Sequence, residues 1–425
     1  MPPTLEYPGV QYPGRMAVSA IFEELQRQAK SYKDYVVTNQ SISLALDAEC
    51  GLVAQFEITG QVHKMPISRR GYDQLIAWVG LRKDSLLYKR LRWGYDDYSS
   101  SRKRMHDVDR FWTTYANLLN DHFRIIRGKK LLRTLMKPDN NWYIRAVLSD
   151  KYKIIPNDQL FMAAADKIKE VEAEIWDARL SEDAFYLYAV APGITAQVRT
   201  DRPFGDKNAR WTGDAGDTVN AALMLRNSET GQGGCEVCPA ILVGVGGSYF
   251  VRQNALSIRH LGTAHEMDAL LSAETIRKQN SVVFDQIKDY INSTFTEDTF
   301  QLFVDKLQDA TQDELGDPIA AAEAVRVVYD LSMERKDSIV KWLMDSGDRS
   351  RYGLARAVTK EAHDNSSLQA DEAVHLEQVS SDLIEKQTSL SLVREHQKLA
   401  EKKASKAASA ADKVASLATA TIDLD

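Results

Sequence analysis

The chain has 425 residues, 44% hydrophobic and 27% charged, with a formal charge of −6. Such a composition excludes wholesale disorder, and the length favours more than one structural unit. With no apolar signal core in MPPTLEYPGVQYPGRM, no apolar run longer than Ala240–Val245 and only 3 cysteines, a soluble cytoplasmic protein without a membrane partner is expected.

Taken in chain order, Val18, Ile21, Phe22, Leu25 and Ala29 recur with a helical period and predict a helix over Met16–Ala29. Tyr35–Thr38, Ser43–Ala45 and Leu52–Ile58 read as short strands, punctuated by Gly51 and Gly60 into an antiparallel meander. Ser68 is placed to cap a helix running to Leu81. Lys83–Arg92 predicts a further helix, Tyr95–His106 an exposed loop, and Asp107–Phe123 another helix. Phe123–Leu135 and Trp142–Leu148 predict strands around a turn at Lys137–Asn141, and Asn157 and Asp158 should cap a helix to about Trp176. Strands are expected at Phe185–Val190, Thr195–Arg199, Asp217–Leu225, Val237–Val245 and Tyr249–Arg252.

From Ala264 the pattern turns helical, through Ala264–Asn292, Glu297–Asp309, Pro318–Asp345 and Arg349–His363. Beyond Ser366, Leu376, Val379, Leu383, Leu390 and Val393 mark an amphipathic helix that leads into an Ala/Lys-rich tail. The fold class is therefore α+β, an antiparallel-sheet core with packed helices followed by a largely helical C-terminal region. Four pieces are expected: 1–60 (helix and meander), 61–262 (α+β core), 263–365 (helical) and 366–425 (amphipathic helix and tail).

The charge is unevenly spread. Residues 61–160 hold 21 Lys and Arg against 10 Asp, or +11, so the remainder carries −17. Nucleic-acid grooves need cations for phosphates and flat rings for unpaired bases, and this window interleaves both. Its first group is Arg82, Lys83, Lys89, Arg90, Arg92, Trp93, Tyr95 and Arg102, Lys103 and Arg104, with Tyr88 and Tyr98 among the rings. The second is Arg124, Arg127, Lys129, Lys130 and Arg133. The pattern points to a nucleic-acid partner, single-stranded DNA preferred, with the C-terminal helices joining copies into a homo-oligomer. A scaffold acting through those helices is the alternative, and an enzyme with an unrecognised site comes last.

Other motifs are poorer in chemistry. Cys235 and Cys238 with His260 and His265 have the residue types of a zinc site, but the 21 residues between Cys238 and His260 exceed a finger linker. The reading is of ordinary thiols and no cofactor. Gly231, Gly233, Gly234, Gly244, Gly246 and Gly247 lack the spacing of a phosphate loop and read as turn glycines. No hydrolase signature is present in the sequence.

Four strings resemble a family. Arg145-Ala-Val-Leu-Ser-Asp150-Lys-Tyr152-Lys followed by Asn157-Asp158, then Asn227-Ser-Glu229-Thr-Gly231, Arg259-His260-Leu-Gly, and Tyr352–Lys360 are similar, in order and spacing, to phage- and plasmid-type proteins of the domain of unknown function 932. The resemblance spans about Ile67 to His363 and implies a mobile-element origin, with no catalytic signature. Two departures are Val243-Gly-Val-Gly-Gly-Ser248, where the family commonly shows Cys-x-Asn-Gly, and Arg356, where it usually has Asn. Glu229 stands out, because turn chemistry explains Asn227, Ser228 and Gly231 but not an acid between them.

Overall fold

A computed structural model describes residues 16–47, 51–80, 105–199, 216–244, 248–251, 256–260, 273–365 and 368–385, with a few isolated positions besides. Helix α1 (Val18–Lys30) turns Ile21 and Leu25 inward, as its apolar period requires. Four strands follow: β1 (Tyr32–Thr38), β2 (Ile42–Asp47), β3 (Gly51–Ile58) and β4 (Gln61–Pro66). The expected meander exists with a different membership, since β2, β3 and β4 form it while β1 leaves it. Gln61–Pro66 hides its strand character because it is largely exposed and carries few apolar side chains.

Ser68 caps α2 (Arg69–Trp78) as expected, its Oγ accepting from the Gly71 N–H at 3.0 Å. The helix stops at Trp78, short of Leu81. α3 (Met105–Ile125) carries Phe123 as a buried helical position, so the strand expected from Phe123 begins later, at β5 (Lys129–Met136). β6 (Trp142–Ser149) returns beside it, and β1 completes a sheet of order β1-β5-β6, with Tyr32 opposite Leu135 and Thr38 opposite Lys129. Pairing across some hundred residues thus ties the expected N-terminal piece into the sheet of the next one. Apolar side chains of the meander, α2, α3 and one face of this sheet make a core of their own.

Asn157 begins α4 (Asn157–Glu170), but the cap residue is Pro156 and the helix ends six residues before Trp176. Positive φ at Glu172 turns the chain into β7 (Glu174–Leu180). The two strands expected over 185–199 are one, β8 (Phe185–Arg199), with an irregularity between Ala191 and Thr195 where Pro192-Gly193 interrupts the ladder. With β9 (Gly216–Asn227), β10 (Cys235–Val243) and β11 (Ser248–Val251) these form a sheet of order β11-β10-β9-β8-β7, and β12 (Leu256–Ile258) also pairs β10. Its pairings are all antiparallel.

The C-terminal region is helical: α5 (Ala273–Thr294), α6 (Glu297–Thr311), α7 (Pro318–Val328), α8 (Met333–Ser346), α9 (Arg351–Asp364) and α10 (Ala370–Glu385). The single helix expected over Pro318–Asp345 is broken at Asp330, whose φ is positive, and Ser332 caps the second half by accepting from the Arg335 N–H. One face of the large sheet packs on α1, α4 and these helices, and the other meets Ala370 and Val374 of α10.

The first part of the expected amphipathic helix packs within its own chain. Leu376, Val379 and Leu383 are buried within the chain. Tyr188 donates to Glu377 at 2.6 Å, Arg179 pairs with Glu377 at 2.9 Å, and the Val251 N–H donates to Ser381 Oγ at 2.6 Å. Arg351 donates to the carbonyls of Leu383 and Ile384, closing the helix C-terminus. This part of the stripe expected to join copies is spent on the molecule's own core; Leu390 and Val393 lie outside the described residues.

Candidate nucleic-acid interface

Of the first cationic group, Lys89 is exposed, while Arg82, Lys83, Arg90, Arg92, Trp93, Tyr95, Arg102, Lys103 and Arg104 lie outside the described residues. The second group gathers where α3 gives way to β5. Gly128 makes the turn with φ +122, and its carbonyl accepts from the Asn39 N–H at 3.1 Å. Arg124 is 73% exposed and pairs loosely with Asp121 at 3.2 Å; Arg127 is exposed, and Lys129 and Lys130 are half-buried. Lys130 Nζ lies 4.8 Å from the ring centroid of Trp78, which stacks on Phe123 at 5.3 Å. Lys130 and the partly exposed indole thus meet at the edge of the smaller core, while Lys129, the next residue on the strand, faces the other side of the sheet.

Arg133 does not belong with them. It is 3% exposed, directly opposite Asp34 on β1, and donates to Asp34 and Glu229 at 2.9 Å each. No phosphate can reach a guanidinium sealed in this way.

Arg133 belongs instead to a buried hub that most of the resemblance motifs build. Glu229 follows β9, and its Oε2 accepts from Arg133 and from the Tyr32 hydroxyl, with Arg145 Nη1 at 3.6 Å. Its Oε1 accepts from the Asn157 N–H at 2.8 Å, satisfying an orphan donor of the α4 N-terminus that Pro156 cannot cap. Burial pushes the Glu229 carboxyl up, but the two guanidiniums and these donors outweigh it and hold it below the usual carboxylate range. Arg145 is 1% exposed and donates to Gln28, Tyr32 and the Glu182 carbonyl. Tyr143 donates to the Glu182 carboxylate at 2.8 Å, and burial pushes that carboxyl up to about 7.

The remaining motif residues brace this hub. Asn227 donates to Asn157 Oδ1 at 2.7 Å and to the Ile155 carbonyl at 2.8 Å, so Asn157 links elements instead of capping its own helix. Gly231 has φ +78, and a Cβ there would sit 2.7 Å from Leu148 Cδ2. Tyr152 donates to the Ser228 carbonyl and stacks on His260 at 4.8 Å. His260 Nδ1 lies 2.9 Å from the Lys153 carbonyl; a carbonyl only accepts, so Nδ1 carries the proton, and burial lowers the ring's pKa. Asp150 and Arg259 stand apart, Asp150 in the turn after β6 and Arg259 exposed. Gln28, Tyr32, Tyr143 and Glu182 escaped the sequence reading. The available signal was Arg133 and Arg145 inside apolar strands, since a cation there demands a buried anion.

The cysteines hold no metal together. Three positions apart on β10, Cys235 and Cys238 point to opposite faces of the sheet, one toward Val237 and Leu225, the other toward Tyr188 and Met224. Burial pushes both thiols up to about 12, away from the thiolate a metal or redox site needs. His265 lies outside the described residues, and among the described residues no group of three metal-ligating side chains occurs.

No helix among the described residues is long and apolar enough to cross a membrane. No family model matches the sequence, and no curated protein or solved structure is similar to it.

Proposed function

We propose that the protein is a phage- or plasmid-type binder of nucleic acid, preferably single-stranded DNA, acting in the cytoplasm during replication or recombination. The observation that carries this reading is Lys130 over the partly exposed Trp78, with the exposed Arg124 and Arg127 close by in the chain. Cations that neutralise phosphates and a ring that can meet an unpaired base are the two parts a single-stranded site requires. The basic residues between 82 and 104 add to it by sequence alone. The alternative, a scaffold acting through the C-terminal helices, is less supported, because Leu376, Val379 and Leu383 of the stripe it would use are buried internally.

A fluorescent single-stranded oligonucleotide titrated at two salt concentrations tests the proposal. Binding tighter than ~10 μM at low salt that weakens steeply with added salt is expected, because phosphate contacts release counterions. Binding that ignores salt, or no binding at low salt, would overturn it.

A further inference from the structure

Resting on that reading, we propose that Trp78 is the base-stacking residue of the single-stranded site, covered by Lys130 in the unbound protein and uncovered when Lys130 turns to a phosphate. Three lysines in this part of the molecule lie over aromatic rings. Lys33 covers Tyr35 and Lys137 covers Tyr143, but both of those rings are buried and could not receive a base. Trp78 differs in keeping part of its surface exposed.

What holds the indole is unequal on its two counts. Phe123 is stacked against it with an interplanar angle of 26°, and Phe123 is itself fully buried, so this contact fixes the ring's position. Lys130 Nζ, 4.8 Å from the centroid, is the end of a flexible side chain on a strand whose backbone stays in register with Val37 and Ser149. Four rotatable bonds let the ammonium leave without any backbone change. A cation over an aromatic face is a weak contact at a partly exposed site, so its displacement is inexpensive.

The charge at Lys130 is poised for such a partner. Burial lowers its pKa, and the Asp150 carboxylate only partly opposes that effect. A phosphate beside Nζ would favour the ammonium, and the vacated indole would accept any base, since every base has a flat face. The exposed Arg127 lies three residues away along the chain and would supply a neighbouring phosphate contact.

The test compares the full-length protein's affinity for an oligo-dT strand with that for an abasic strand of equal length. The wild type should prefer the base-bearing strand by about tenfold, and Trp78→Leu should remove that preference while leaving abasic binding unchanged. Because Trp78→Leu could disturb the Phe123 contact, Lys130→Ala provides a second arm. It should keep the base preference and lower the salt dependence by about one phosphate contact. Equal wild-type binding of the two strands, full preference in Trp78→Leu, or an unchanged salt slope in Lys130→Ala each overturns the inference alone. Failure of the wild type to bind either strand overturns the functional reading and this inference together.

Discussion

Lys129 and Arg133 stand four residues apart on one strand, and by the alternation of a strand they share a face, yet they meet opposite surroundings. Lys129 sits near the open end by Arg127, while Arg133 lies under Tyr32, between Asp34 and Glu229. Arg124 and Arg145 repeat the contrast, one mostly in water and the other sealed among Gln28, Tyr32 and Glu182. A charge count treats all four alike. Their physics differs, because a buried cation is held only by a fixed anion, whereas a cation largely in water, as Arg124 is, can meet a polyanion.

This contrast can be broken most severely at Glu229. Glu229→Ala leaves Arg133 and Arg145 short of their shared anion, and urea unfolding should show a loss of about 3–5 kcal/mol. A loss under about 1 kcal/mol would mean that the hub does not bind its arginines as the geometry says. Gly231→Ala comes next, at about 1–3 kcal/mol by the same measurement, because it combines a left-handed backbone with a Cβ pressed on Leu148.

The hub also makes stability depend on pH in two directions. The folded pKa of Glu182 is raised to about 7, so its stabilising contribution is complete below the ordinary carboxylate range and is lost as pH rises through about 7. Glu229 and His260 are lowered, so their contributions are present above their ordinary values and are lost as pH falls. Relative to Glu182→Gln, the wild type should lose up to about 1.4 kcal/mol per pH unit as pH rises from the ordinary carboxylate range to about 7, and the difference should level off above 7 in denaturant titrations. Parallel profiles for the two proteins would remove Glu182 as the titrating group.

The smallest stability effect is expected at the surface. Replacing Arg124 and Arg127, both exposed, together by Gln should change unfolding by no more than about 0.5 kcal/mol. The same double variant should lower the salt slope of oligonucleotide binding by about two contacts. Binding unaffected by that double variant would move the interface elsewhere.

How much of this could be read from residues alone depended on the range of the interaction. The helical periods of α1, α3 and α6, the Ser68 cap and the turn at Lys137–Asn141 are local, and they appear within a few residues of where local rules put them. β4 and β12 were illegible because short strands with little apolar content leave no periodic mark. The unusual acid of Asn227–Gly231 was visible as a residue that turn chemistry could not account for. Its partners were not, since Tyr32, Arg133, Arg145 and Asn157 are between 72 and 197 positions away in sequence and meet it only after two sheets pack.

The sequence by itself therefore determined the α+β class, the antiparallel character of the core and the concentration of positive charge in residues 61–160. Tertiary structure alone decided that β1 joins β5, that α10 covers its own chain, and that Arg133 and Arg145 bind an internal carboxylate. The reason is that propensity and periodicity act over a few residues, whereas the solvation of a charge is set by whatever the fold brings against it.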